Sequence, residues 1–235
     1  MIRYINLLFF AGMVLMNYLA NTLPFNDKTT GEVSDNFSNL FAPAGITFSI
    51  WGVIYLLLAV FCVLQFTSQL KETAINIGWM FALSCVFNAV WLLAWHYERL
   101  PLSLLIMAGL LVSLVYINIT IRDLPYGIVK AAFGIYLGWI CIATIANVAA
   151  LLVSIDWAGF GLSETAWTII MIAAGAAILT LTLVSLDNPF IGIAGAWAFA
   201  GIIIKRHSDY RAIAAAALIA LLIVAFFTLR EFLRK

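Results

Sequence analysis

The stretch Phe41–Tyr55, FAPAGITFSIWGVIY, is where a polar loop gives way to an apolar run. Pro43 suits the start of a helix, where its missing N–H would have no intrahelical partner anyway. Gly45 lets the backbone turn or be approached closely. Phe48, Trp51 and Tyr55 then fall at i, i+3 and i+7 and share one helical face. Taken alone, the stretch reads as a membrane span that begins with interfacial aromatics. An aromatic stripe facing a ligand is the sharper alternative, and the rest of the chain weighs between the two.

The 235 residues are 65% hydrophobic and 10% charged, with a mean hydropathy of +1.09. That composition belongs to integral membrane proteins. A net charge of +1 leaves no basic footprint for nucleic acid. Cys62, Cys85 and Cys141 lie inside apolar runs without CxxC spacing and read as small buried hydrophobes. His96 and His207 are far apart in sequence, so no His-based metal site is expected. The N-terminal run MIRYINLLFFAGMVLMNYLA is long for a signal peptide and lacks a clear small-x-small cleavage site, so it reads as an uncleaved first span.

At about 20 apolar residues per span, the sequence predicts an all-α, polytopic transmembrane helix bundle. Eight helices are expected, over residues 4–23, 45–66, 74–97, 102–121, 128–154, 164–186, 190–204 and 212–232. The longest loop, 24–40, is polar and slightly acidic. Ser163 caps the sixth helix, with Glu164 in the first turn where the helix dipole favours it. The seventh helix is short for a full span. With the N-terminus in the cytoplasm, Arg3, Lys71, Arg122, Lys130, Arg230, Arg234 and Lys235 lie inside, against Lys28, Arg99, Lys205, Arg206 and Arg211 outside. The bias favours both termini in the cytoplasm. The Lys205–Arg211 cluster opposes it and would return to the cytoplasm if the seventh helix were re-entrant.

Every Asp, Glu, Lys and Arg falls in a predicted loop or near a helix end. That distribution argues against a proton pump, a carboxylate-coupled transporter or a voltage sensor, and against paired-carboxylate catalysis at mid-membrane depth. The interior carries aromatics and a few neutral polar groups instead. Ser84, Asn88, Trp91 and Trp95 share one face of the third helix, and Tyr136, Trp139, Ala143 and Asn147 one face of the fifth. An Asn facing lipid needs a hydrogen-bond partner. Asn88 and Asn147 either bond each other or backbone and fix helix packing, or they anchor a planar ligand in a flat, π-rich pocket.

These residues carry a resemblance. PAGITFSIWGVIY at 43–55, FNAVW at 87–91 and YLGWICIATIAN at 136–147, in that order and with those loop lengths, resemble the TspO/MBR family, the translocator or tryptophan-rich sensory proteins. The resemblance covers roughly residues 1–154, a five-helix unit, and leaves residues 155–235 as a C-terminal extension of about three helices, as in a longer bacterial branch of the family. It implies a pocket opening toward the first loop that takes porphyrins and, in some members, sterols. It implies Trp51 and Trp139 as the pocket tryptophans, Asn88 as the third-helix polar position and Tyr136 as the aromatic one turn earlier. Some members promote light- or oxygen-dependent porphyrin breakdown. The sequence departs from the family pattern at Ala44, where a second Pro is common, at Ile46, where an aromatic is common, and in having one residue fewer between Phe48 and Trp51. In a regular helix one residue is a rotation of about 100°, so the wall at 46–49 is where the pocket is expected to differ.

The function expected is binding of a planar hydrophobic ligand, a tetrapyrrole or a sterol-like lipid, in a sensory or carrier role. The ligand-binding set is Phe48, Trp51, Tyr55, Asn88, Trp91, Tyr136, Trp139 and Asn147, with no required cofactor beyond a bound porphyrin or haem-type tetrapyrrole. The expected partners are this small molecule, membrane lipid and a second copy or a membrane complex, without nucleic acid, in a bacterial inner membrane. The alternatives are a lipid or small-solute transporter and a non-catalytic subunit of a membrane complex. Enzymatic activity has the least support, because no nucleophile–base pair or metal constellation is visible.

Overall fold

The structure is a computed structural model and describes residues 1–22 and 25–234. Leu23, at the predicted end of the first span, Pro24, at the start of the loop, and Lys235 lie outside them. The described residues form helices and no strand: α1 (Ile2–Thr22), α2 (Thr30–Asn36), α3 (Ile50–Leu64), α4 (Lys71–Ile77), α5 (Trp79–His96), α6 (Leu100–Thr120), α7 (Ile128–Ser154), α8 (Glu164–Ser185), α9 (Phe190–Arg206) and α10 (Arg211–Leu233). Seven segments are long and apolar enough to cross a membrane, the mark of a multi-pass integral membrane protein. Large apolar side chains such as Leu8, Leu56, Leu105 and Leu181 cover the outside. Inside, Phe61, Phe81 and Phe133 interlock edge to face at 5.5, 5.0 and 5.7 Å and tie α3, α5 and α7 together.

The predicted helices are present, with three local differences. The helix expected from residue 45 begins as a 3₁₀ turn over Gly45–Ser49 and becomes α-helical at Ile50. The helix expected from residue 74 is divided by Gly78, whose φ of 58° and ψ of −135° suit a residue without a Cβ. The long loop contains α2, closed by a capping box in which the Thr29 side chain and the Glu32 carboxylate satisfy each other's backbone N–H. Ser163 caps α8 as expected, accepting from the Ala166 N–H at 3.2 Å.

The loop carrying α2 is pinned to the end of α5. Trp95 Nε1 donates to the Thr30 carbonyl at 3.2 Å, and Asn26 Nδ2 to the His96 carbonyl at 3.1 Å. Glu98 accepts from both Lys28 and Asn36. The bonded Lys28 ammonium holds the Glu98 carboxyl below its ordinary pKa, against a partial desolvation and with help from Asn36.

α9 has 17 residues, about 26 Å at 1.5 Å per residue, yet it runs the depth of the bundle. Just before it, Asn188 donates to the Asn118 side chain at 2.8 Å and to the Lys130 carbonyl at 3.0 Å, which bolts the α8–α9 turn to α6 and α7. Its last turn reaches the segment before α3, where Arg206 donates to the Leu40 carbonyl at 3.0 Å and the Asn39 carbonyl at 2.7 Å. The seventh predicted helix is therefore a crossing and not a re-entrant segment, and both termini lie at one end of the bundle. Along the way α9 meets α7 without room for a side chain: a Cβ on Gly138 would collide with the Ile191 carbonyl oxygen.

Two charges are more buried than the sequence implied. Lys130 and Glu231 sit near helix ends, as expected, but have no exposed surface, because the α8–α9 turn and the end of α10 fold over them. The Lys130 ammonium donates to the carbonyls of Arg122 at 2.6 Å and Asp187 at 2.8 Å and lies 5.2 Å from the Tyr126 ring centroid. Glu231 is flanked by Arg230 at 3.8 Å and Arg234 at 3.6 Å.

Gly138→Val is expected to cost about 1–3 kcal/mol by overpacking α7 against α9, read as a fall in Tm in detergent; an unchanged Tm would contradict the close approach. For the loop, the sign follows from a depressed folded-state pKa: the Glu98 contribution is present above the unfolded carboxylate value of about 4.3 and is lost as pH falls through the lower folded value. The pair is about one-third exposed, so Glu98→Gln should lower Tm by only about 1–2 °C at pH 7. That difference should vanish near pH 3, when the wild-type carboxyl is protonated.

Candidate functional site

The segment before α3 is held by α9. The Ala44 N–H donates to the Gly201 carbonyl at 3.0 Å, and Trp197 Nε1 donates to the Thr47 carbonyl at 2.9 Å. Thr47 is buried on Gly201, where a Cβ would strike its side chain. With Thr47 turned to α9, Ile46 points outward and is 62% exposed. Phe48 and Trp51 turn inward, since residues three apart nearly eclipse in 3₁₀ winding.

Their rings meet α7. Phe48 and Trp51 approach Trp139 edge to face at 5.9 and 6.2 Å. Trp51 also stacks on Tyr55 at 5.6 Å and meets Tyr136 edge-on at 6.0 Å. From α5, Trp91 and Trp95 stack on each other at 5.7 Å. The stripes on α3, α5 and α7 thus converge, and the wall at 46–49 keeps an aromatic contact with Trp139.

Two connected spaces adjoin this cluster beneath α2. The outer one, about 830 Å³, is bounded by α1, α3 and α5, with Asn17, Phe48, Trp51, Tyr55 and Trp91 in its wall and Lys205 on its rim. That is within the range of ordinary small-molecule sites. The inner one, about 50 Å³, shares Phe48, Trp51 and Trp91 and continues to Trp95, Trp139 and Asn147. The outer space can take the body of a ligand, whereas the inner one admits only an edge.

Six of the eight predicted residues line these spaces: Phe48, Trp51, Tyr55, Trp91, Trp139 and Asn147. Asn88 and Tyr136 lie one layer behind. Asn88 accepts from Asn17 Nδ2 at 2.8 Å and donates to the Tyr136 hydroxyl at 3.0 Å, linking α1, α5 and α7. Asn147 Nδ2 donates to Ser103 Oγ at 2.8 Å and so joins α7 to α6. The two asparagines therefore do not bond each other, and each works partly as interhelical glue.

Other polar groups remain unmatched. Trp91 Nε1, Trp139 Nε1 and Asn147 Oδ1 are buried with no protein partner, although an unsatisfied buried group costs about 1–3 kcal/mol. All three residues line the inner space. Two indole donors and one amide acceptor among stacked rings can orient a flat heteroaromatic molecule. The site holds no nucleophile–base pair, and no metal-ligating group of three or more His, Cys, Asp or Glu occurs among the described residues.

Sequence reasoning missed two contributors. Asn17 carries the same signal that singled out Asn88, an amide within an apolar span. Lys205 reads as an ordinary last-turn cation, and only the fold brings it to the cavity.

Comparison with known families gives one match: the model described as TSPO-like protein covers residues 3–230 and so reaches through α8, α9 and most of α10. Neither the curated proteins nor the solved structures give a match. A match over nearly the whole length, joined to the convergence of the Phe48, Trp51 and Trp139 rings, shows that the chain belongs to the TSPO-like protein family.

Proposed function

We propose that the chain binds a planar, hydrophobic, heteroaromatic ligand in the space beneath α2, in a sensory or carrier role, with a tetrapyrrole as the best candidate. The observation that carries this reading is the set of unpaired buried groups, Trp91 Nε1, Trp139 Nε1 and Asn147 Oδ1, beside an aromatic cavity of about 830 Å³. Unmatched donors and acceptors in an apolar interior are costly for folding, and a ligand with complementary ring nitrogens would satisfy them. Ring stacking supplies affinity and the few polar groups supply orientation, the usual division of work in such sites.

We place the protein in a bacterial inner membrane with both termini in the cytoplasm. The Lys205–Arg211 cluster opposed this on charge alone. Arg206 is engaged by the Asn39 and Leu40 carbonyls, so part of that charge has a structural use at the outer end.

The reading predicts saturable quenching of Trp fluorescence by protoporphyrin. Trp51 borders both spaces and Trp139 only the inner one. Trp51→Ala should therefore weaken binding by about tenfold or more, as stacking of a ring on an aromatic is worth about 1–3 kcal/mol. Trp139→Ala should weaken it less, and the double variant should abolish it. Unchanged binding in the double variant, with a normal Tm, would remove the site from this cavity.

A further inference from the structure

Among the residues lining the outer space, one cation stands on the rim: Lys205, from the last turn of α9. Its neighbour Arg206 is engaged by the carbonyls of Asn39 and Leu40. Lys28, the nearest cation on the loop, is paired with Glu98. Lys205 is half-buried and, among the described residues, makes no hydrogen bond or ion pair, so its ammonium is not committed to the fold. The carboxylate nearest in effect is Asp35 on α2, which lines the same space but stands beyond ion-pair distance. Both Lys205 and Arg206 complement the α9 dipole. A dipole role alone does not require Lys205 to lie against an aromatic cavity.

We infer that the ligand is an amphipathic acid: a flat apolar body seated against Trp51 and Trp91, with a carboxylate at the rim bonded to Lys205. This rests on the reading of the cavity as a ligand site and adds the ligand's charge and the role of the C-terminal helices. α9 serves as a wall of the site, holding the 44–47 segment in place and contributing the group that reads the acid. An ammonium at the edge of an apolar cavity is less hydrated than one in bulk water, so a carboxylate there is bound strongly and an ester gains nothing from it. Asp35 sets the opposing charge and disfavours a second acid on its side of the rim.

The test uses the full chain in nanodiscs of neutral phosphatidylcholine, so that lipid headgroups do not supply competing acids. Protoporphyrin is titrated as its free diacid and as its dimethyl ester, with Trp quenching as the readout. Wild type should bind the diacid about tenfold more tightly than the ester, as expected for one charge-assisted hydrogen bond. Lys205→Gln should bring the diacid down to the ester's affinity and leave the ester unchanged. Lys205→Arg should keep the preference, and Asp35→Asn should tighten the diacid. Equal binding of diacid and ester by wild type, or a preference that survives Lys205→Gln, overturns the inference while the cavity assignment stands. If neither probe binds wild type, the cavity assignment and the inference fall together.

Discussion

The bundle depends on how closely α9 lies against α7. Gly138 leaves room for the Ile191 carbonyl oxygen and for nothing larger, which brings the two backbones into contact. Asn188, joined to Asn118 and to the Lys130 carbonyl, fixes the depth at which α9 begins. From that anchor the helix reaches the far end at the height of Asn39–Thr47, where Arg206, Gly201 and Trp197 each bond this stretch. Three backbone groups that would otherwise be unmatched at a helix start are satisfied there by α9. The 3₁₀ turn at Gly45–Ser49 is stable because its outer face is bonded in this way, and its inner face then presents Phe48 and, one step on, Trp51 to Trp139.

Buried polar groups fall into two classes. One is matched and joins helices: Asn6 with Gln65, Asn17 with Asn88 and Tyr136, and Asn118 with Asn188 and the Phe133 carbonyl. Interhelical bonds of this kind are worth about 0.6–2 kcal/mol each and set register between apolar surfaces that would otherwise slide. The other class is unmatched and includes a group of three residues around one small space, Trp91, Trp139 and Asn147. Scattered orphans would suggest imperfect packing. Orphans gathered among stacked rings suggest a site whose partner is not protein.

Much of the architecture was legible in the sequence because a lipid environment imposes a blunt rule: a crossing needs a long apolar run. Residues 128–154 were placed to the residue, and Ser163 announced α8. What stayed hidden came from local chemistry or from distant contact. The break at Gly78 needs a backbone conformation that hydropathy does not register. The helix Thr30–Asn36 had a readable signature in the Thr29–Glu32 spacing, outweighed by the polarity of the loop around it. The burial of Lys130 and Glu231 depends on the α8–α9 turn and α10 folding over them, and no local pattern encodes that. Among the site residues, the stripes on α3, α5 and α7 gave the converging rings, but periodicity alone could not tell which member of a stripe would face a cavity and which would lie a layer behind it. Asn88 and Tyr136 share their faces with Trp91 and Trp139, yet they bond each other and line neither space.

The one-residue difference between Phe48 and Trp51 shows how the two ends of the chain are connected. In a regular α-helix it would swing one of the two rings away from α7 by about 100°. The tighter 3₁₀ winding keeps both rings on Trp139. That winding is held by Gly201 and Trp197, which lie more than 150 residues along the chain from the segment they support or close to it. The shape of the aromatic wall near the N-terminus is therefore a property of a late helix. A tilt of α9 would move Thr47, and Phe48 and Trp51 with it, because all three lie on one short, tightly wound stretch. The glycines at 138 and 201 limit that tilt by removing the space in which α9 could rock.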